Sequence, residues 1–75
     1  MMTTYNIKDS SRIERVVFYK DTRNIVITFK GNKIYLYASV SKWDYNSFKE
    51  DIENGESVGK SFEKRIRNKY AGQRL

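Results

Sequence analysis

The sequence contains neither cysteine nor histidine. Without cysteine, neither a disulfide nor a zinc–thiolate site can stabilise the chain. Without histidine, the commonest metal ligand and the commonest general base are both missing. Catalysis would have to rely on lysine, tyrosine, serine or carboxylate side chains, and no convergent set of these is visible. We therefore expect a protein that is not an enzyme and that holds no metal ion or cofactor.

Long apolar runs are also missing. The longest runs contain four or five residues, far fewer than a helix needs to cross a bilayer. No charged-then-apolar leader opens the chain. We therefore expect a cytoplasmic protein that does not contact a membrane.

Positive charge is abundant but unevenly distributed. The net charge is +6, of which residues 1–39 carry +4, residues 40–56 carry −3 and residues 57–75 carry +5. Basic charge at both ends suggests a polyanionic partner. The alternative is that the charge serves solubility alone, as in many small domains. The composition leaves both explanations open.

Local sequence patterns predict three strands followed by two helices. β-Branched and aromatic residues indicate strands over residues 13–19, 25–29 and 33–38. The order indicates an α+β fold in which a three-stranded antiparallel meander is followed by two helices packed on one face. A chain of this length forms one domain. We assign residues 1–11 to a loose lead-in, residues 12–72 to the domain and residues 73–75 to a frayed tail.

The hairpin between the second and third strands decides which way two tyrosines face. Gly31 and Asn32 both tolerate a positive φ, which favours a tight turn. If the loop has two residues, Phe29 pairs with Ile34, and Tyr35 and Tyr37 lie on the face opposite Phe29. A loop one residue longer brings both tyrosines onto the face of Phe29. The sequence leaves the register open.

Capping signals delimit the two helices. Ser41 and Asp44 predict the start of the first helix, and Asn54-Gly55 predicts its end. The second helix is predicted to begin near Ser57 and to end at Ala71-Gly72. Its apolar side is formed by residues at four-residue steps, namely Val58, Phe62, Ile66 and Tyr70.

An ordered set of residues spans almost the whole chain. Its members are Tyr19, Phe29, Gly31, Tyr35-Leu36-Tyr37, Val40, Ser57-Val58-Gly59, Phe62, Ile66 and Tyr70. In this order and at these spacings the set resembles the KTSC domain family, named after the C-terminal domain of lysyl-tRNA synthetases. Ser41 stands where the family often has proline. The resemblance implies a free-standing small protein of a bacterium or a phage, for which RNA binding is the usual suggestion.

The tyrosines of the third strand form the first candidate site. Tyr35 and Tyr37 point the same way because alternate strand residues share a face. Lys30 and Lys33 lie close to them in sequence. Aromatic rings among lysines can stack bases while the lysines hold phosphates. The alternative is that both rings pack against the helices with their hydroxyl groups at the rim.

The second helix is the other basic candidate. Lys60, Lys64 and Arg67 lie at i, i+4 and i+7 and are predicted to share a stripe, to which Arg65 and Lys69 add charge. A phosphate backbone would be attracted to such a stripe. The alternative is an ordinary solvated face, stabilised by cations near a helix C-terminus.

The segment Ser57-Val58-Gly59-Lys60-Ser61 resembles the end of a phosphate-binding P-loop. Asn54 stands where that loop requires a glycine, so a nucleotidase is excluded. Backbone N–H groups at this helix start could still hold one anion, with Ser57, Gly59 and Lys60 forming the site. The alternative is that Ser57 is an N-cap and that Gly59 permits close packing.

We predict a small non-catalytic module that binds nucleic acid, either RNA or single strands, through the basic helix and the Tyr-x-Tyr strand. The alternative is a protein-interaction module, such as a phage-encoded protein that binds and modulates a host factor. Trp43 would then be an exposed anchor, although it could instead fill the sheet edge. An exposed strand edge could also pair two copies, so we expect a monomer or a weak homodimer.

Overall fold

The computed structural model describes all 75 residues. The strands are β1 (Met2–Asn6), β2 (Ile13–Tyr19), β3 (Asn24–Phe29), β4 (Lys33–Tyr37) and β5 (Gln73–Arg74). Two helical elements follow β4 in the chain. They are α1 (Lys42–Glu53) and α2 (Val58–Phe62), and α2 continues without a break as a π-helical segment, Glu63–Arg67. We call residues 58–67 together the terminal helix.

The five strands form one antiparallel sheet in the order β1-β2-β3-β4-β5. The predicted α+β class, with an antiparallel sheet and two helices, is therefore confirmed. The prediction of three strands is wrong, because β1 and β5 add one strand at each edge. Neither residues 1–11 nor residues 73–75 are loose, since each segment contributes one of these edge strands.

The two edge strands lack the sequence signal that marks the inner ones. β1 is almost entirely exposed and its residues are mostly polar, as suits a strand with solvent on one side. β5 has two residues, too few for an alternating pattern. Leu75 extends the pairing, because its N–H donates to the carbonyl of Ile34 at 2.9 Å. Both edges are therefore specified by pairing with a neighbour rather than by local composition.

The β3–β4 hairpin adopts the longer of the two loops that the sequence allows. Phe29 pairs with Lys33, which leaves three residues in the loop. Gly31 and Asn32 both have positive φ, at 86° and 61°. Tyr35 is consequently opposite Ile27 on the helix-facing side of the sheet. The register thus turns both tyrosines towards the core.

Helix α1 begins and ends where its capping residues predict. Ser41 Oγ accepts a hydrogen bond from the N–H of Asp44 at 3.2 Å, and Asn54 is the C-cap. Gly55 follows with a φ of 78°, a conformation that glycine adopts without strain. Tyr45 and Phe48 form the buried apolar side of this helix.

The terminal helix begins as predicted but ends early. Ser57 caps its start, and Phe62 and Ile66 are buried as the four-residue pattern requires. From Glu63 the helix widens into a π-turn, marked by an N–H···O bond from Asn68 to Glu63 at 3.3 Å. A π-turn holds more residues than an α-turn. The prediction of a helix to Ala71 is therefore wrong, and the helical segment ends at Arg67.

The core lies between the sheet and the two helices, and aromatic rings fill its centre. Phe62 of the terminal helix meets Phe29 and Tyr37 with centroid separations of 5.5 Å each. It also approaches Phe48 of α1 at 6.4 Å. The contacts with Phe29 and Tyr37 are edge-to-face, and such contacts add to the free energy gained by burial. A single ring therefore links β3, β4 and α1.

We expect Gly72→Ala to destabilise the fold. A Cβ atom at position 72 would lie 2.7 Å from Cζ of the buried Tyr37 ring. Moving that ring should lower the free energy of unfolding by about 1–3 kcal/mol. Urea denaturation followed by circular dichroism measures the change.

Gly59→Ala is the matched control. Its Cβ would meet only Nη2 of Arg12, at an ordinary 3.7 Å, and the residue is helical. Alanine should therefore leave stability unchanged or raise it by up to about 1 kcal/mol. Equal losses in both variants would contradict the close approach at Gly72.

Candidate nucleic-acid interface

A groove of about 530 Å³ opens between β4, the β3–β4 hairpin and the terminal helix. Its lining combines aromatic with cationic side chains: Ser11, Arg12, Phe29, Lys30, Lys33, Tyr35, Tyr37, Phe62 and Arg67. We call it the Tyr35 groove. It brings together both tyrosines, both hairpin lysines and Arg67 from the residues that the sequence singled out.

The two tyrosines differ in their access to the groove. Tyr37 is only 6% exposed and packs against Phe62, so it belongs to the core. Burial raises the pKa of Tyr37 above its ordinary value, as expected for a phenol in the core. Tyr35 is half-buried, and its ring meets Phe29 edge-on at 5.7 Å. Packing thus describes Tyr37, whereas Tyr35 keeps part of its surface exposed and lines the groove.

The hairpin lysines form one side of the groove. Lys30 and Lys33 are exposed and have no carboxylate within 4.0 Å. The backbone N–H of Lys30 donates to the carbonyl of Arg12 at 2.8 Å, which ties the hairpin to the segment before β2. Two unpaired ammonium groups therefore lie on a fixed part of the backbone.

The cations of the terminal helix region fall into two groups, those paired with carboxylates of α1 and those exposed without an ion pair. Arg65 Nε pairs with Asp51 at 2.9 Å, and Lys69 Nζ pairs with Asp44 at 2.9 Å. Both carboxylates belong to α1, so these two cations hold the helical elements together. Lys60 and Lys64 are exposed and make no ion pair.

The three cations of the predicted stripe do not line the same groove. Arg67 lines the Tyr35 groove, whereas Lys60 lines a second cavity and Lys64 lines neither. The π-turn intervenes between Lys60 and Arg67 and alters the angular spacing on which the stripe was based. A role for Lys60 and Lys64 in binding a polyanion stays a prediction.

The second cavity, of about 760 Å³, lies at the start of the terminal helix and includes Ser57, Gly59 and Lys60. Ser57 is an N-cap, because its Oγ accepts from the N–H of Lys60 at 3.4 Å. A Cβ at Gly59 would make only an ordinary contact with Arg12, so the explanation of Gly59 by close packing is wrong. Anion binding at these residues stays a prediction.

Asp44 organises a buried polar network beneath the C-terminal end of the terminal helix. Asp44 is buried, with only 4% of its surface exposed. Its carboxylate accepts hydrogen bonds from the Tyr70 hydroxyl at 2.7 Å, Lys69 Nζ at 2.9 Å and Ser41 Oγ at 3.1 Å. Burial alone would raise the pKa of Asp44, but these hydrogen bonds outweigh burial and lower it. The carboxylate is therefore charged at neutral pH and fixes the chain after Arg67.

Trp43 lies in the first turn of α1 and faces solvent. It is 73% exposed, so it does not fill the sheet edge. The sequence left open whether Trp43 is exposed or fills the sheet edge, and the structure shows it exposed.

Sequence patterns missed three residues of this region. Arg12 and Phe29 line the groove, and Glu63 contacts two of its arginines. Arg12 falls in the segment taken for the edge of the domain, and the β2–β3 register that brings it to the hairpin contains a bulge between Ile13 and Arg15. The four-residue spacing of Glu63 and Arg67 was the one available signal for their ion pair.

Comparison with known proteins identifies the family. The family model for the KTSC domain matches residues 9–70, which is most of the chain. The chain belongs to the KTSC domain family. The crystal structure of a KTSC domain protein from Yersinia pestis superposes with a TM-score of 0.77 at 23% identity, covering 100% of this chain and 99% of that one. At that identity the likeness shows the fold alone.

A search of curated proteins found no match to the chain. Neither helical element of this KTSC domain has the length and apolar character that crossing a membrane requires.

We expect the stability of the domain to fall in acid. Hydrogen bonds from Ser61 and Arg65 lower the pKa of Asp51, and the network described above lowers that of Asp44. Because the folded-state pKa values lie below the unfolded value of about 3.9, this stabilisation is present at neutral pH. It is lost as the pH falls through the unfolded and then the folded pKa. Urea denaturation between pH 7 and pH 3 measures the loss.

Asp44→Asn should remove part of that dependence. The variant loses its charged partner for Lys69, so its free energy of unfolding at pH 7 should fall by about 1–3 kcal/mol and its acid slope should flatten. Glu50→Gln is the control, since Glu50 is exposed and makes no ion pair. An unchanged acid slope in Asp44→Asn would contradict the account.

The two tyrosines should respond differently to truncation. Tyr37→Ala removes a buried ring and should cost about 3–5 kcal/mol of unfolding free energy. Tyr35→Ala should cost less, because Tyr35 is only half-buried; its edge contact with Phe29 adds about 0.5–1.5 kcal/mol to the loss of burial. Thermal melts of both variants make the comparison. A larger loss in Tyr35→Ala would contradict the burial difference.

Proposed function

We propose that this KTSC domain binds single-stranded nucleic acid, RNA foremost, in the Tyr35 groove and catalyses no reaction on it. One observation supports the proposal above others. Tyr35, which is half-buried, lines a groove together with four cationic side chains: Arg12, Lys30, Lys33 and Arg67. Aromatic rings that stack bases, among cations that hold the backbone, are the usual means of binding single strands.

The shape of the site favours an unpaired base over a duplex. Tyr35 is half-buried and lines the groove, so a ligand can contact at most part of its ring. A base can reach such a ring when it is unstacked, as in loops, bulges and ends of RNA. In a duplex the bases are stacked on one another, so the rings would not meet. Single strands are therefore the ligand that the groove accommodates best.

The hairpin lysines supply the long-range attraction. Lys30 and Lys33 have no internal partner, so a phosphate can contact them without displacing a carboxylate. Each phosphate neutralised by a single-strand binder contributes about −0.7 to the slope of log affinity against log salt. Contacts with two to four phosphates would give a slope of about −1.4 to −2.8.

Fluorescence anisotropy of a labelled single-stranded RNA, titrated between about 50 and 200 mM salt, tests the proposal. Tyr35→Ala should weaken binding by about 1–3 kcal/mol, the range found for the loss of a stacked base. The Lys30→Ala/Lys33→Ala double variant should weaken binding and flatten the salt dependence.

The control is the Lys20→Ala/Lys42→Ala double variant. It removes the same charge from exposed lysines that do not line the groove. Its affinity should stay closer to that of the unaltered protein. Equal weakening in both double variants would mean that binding depends on net charge and not on the Tyr35 groove. No binding at the lowest salt would overturn the proposal.

A second candidate function has its own observation. Trp43 is 73% exposed at the start of α1, outside the Tyr35 groove. Large exposed aromatic residues often anchor protein interfaces. A protein-interaction module, such as a phage-encoded protein that modulates a host factor, would depend on this residue. Trp43→Ala should abolish capture of such a protein while leaving RNA binding unchanged.

A further inference from the structure

Glu63 joins two arginines at the rim of the Tyr35 groove. The same carboxylate oxygen, Oε1, lies 3.0 Å from Nη1 of Arg12 and 2.8 Å from Nη1 of Arg67. Hydrogen bonds from Arg67 and Arg12 hold the pKa of Glu63 below its usual value, so the carboxylate is charged at neutral pH. An anionic oxygen therefore bridges the two guanidinium groups in the free protein.

The two arginines come from separate parts of the chain, and each is held in place. Arg12 precedes β2, where its N–H donates to Ser10 Oγ at 3.2 Å and its carbonyl accepts from Lys30. Arg67 ends the terminal helix, which Ile66 anchors in the core. The gap that Glu63 bridges is thus set by the fold, and the side chain of Glu63 only fills it.

Guanidinium groups bind carboxylate and phosphate with the same fork of N–H donors. Two arginines that converge on a carboxylate oxygen can therefore converge on a phosphate oxygen without rearrangement. Ion pairs between partly exposed groups are weak, so a phosphate of the ligand can displace Glu63. Arg12 lines both cavities, Arg67 lines the Tyr35 groove and Glu63 lines the second cavity, so this bridge lies between the two cavities.

We propose that the gap between Arg12 and Arg67 is a phosphate-binding subsite and that Glu63 occupies it in the free protein as an internal competitor. The inference rests on the proposed function, because it names the subsite that holds a backbone phosphate beside the base on Tyr35. Glu63 then sets the affinity, because its carboxylate must leave both arginines before a phosphate enters.

Glu63→Gln tests the inference, with Glu50→Gln as the matched control. Both variants remove one negative charge, but Glu50 makes no ion pair and lies on α1. In the anisotropy titration, Glu63→Gln should bind single-stranded RNA about 3- to 10-fold more tightly. Glu50→Gln should remain within about twofold of the unaltered protein, as a distant exposed charge would. Circular dichroism confirms the fold, and Glu63→Ala should tighten binding in the same direction.

A second experiment tests whether the effect of Glu63 on affinity depends on the two arginines, which an effect of net charge alone would not. In the Arg12→Ala/Arg67→Ala background, Glu63→Gln should give no gain in affinity. Inorganic phosphate, added to protein labelled at the arginine Nε–H groups, should shift the NMR signals of Arg12 and Arg67 more in Glu63→Gln than in the unaltered protein.

The outcomes separate the inference from the function on which it rests. RNA binding that depends on Tyr35, but that neither Glu63 variant tightens, would overturn the subsite and leave the proposed function standing. A gain of equal size in Glu50→Gln, or a gain that persists without the two arginines, would also overturn the subsite. No RNA binding by any variant, with no phosphate-induced shift at Arg12 or Arg67, would overturn both.

Discussion

The position of Phe62 determines both the core and the groove. Its ring is buried against Phe29 of β3, Tyr37 of β4 and Phe48 of α1. Because a domain of this size buries few large side chains, one aromatic junction carries much of the contact between sheet and helices. The same junction holds the terminal helix beside β4, and the space left at its rim is the Tyr35 groove.

The same packing determines which charged groups form ion pairs and which stay exposed without a partner. Two of the four carboxylates of α1 are committed to the terminal helix region, where Asp51 holds Arg65 and Asp44 holds Lys69. Hydrogen bonds to these carboxylates lower their pKa values and keep the attachment intact at neutral pH. The lysines of the hairpin receive no such partner. Positive charge that is unevenly distributed in the sequence is therefore also unevenly available on the surface.

Local patterns predicted the parts of the fold that local interactions determine. Ser41 and Ser57 cap the two helices as their sequence contexts indicate, and the inner strands follow their β-branched residues. The edge strands and the π-turn depend on pairing and packing with distant residues, which a local pattern does not contain. The groove could be predicted only in part for the same reason: Tyr35 and the hairpin lysines are close in sequence, whereas Arg12 reaches them through the sheet register.

The central claim is that a single-stranded nucleic acid lies in the Tyr35 groove, and mapping its contact surface tests that claim most directly. Two-dimensional NMR spectra of the isotope-labelled domain, recorded during titration with a short single-stranded RNA, report on every backbone amide at once. The account predicts shifts concentrated in β4, the β3–β4 hairpin and the end of the terminal helix, with the amides around Trp43 unchanged. Shifts centred on Trp43 and α1, with the amides of β4 unmoved, would contradict it.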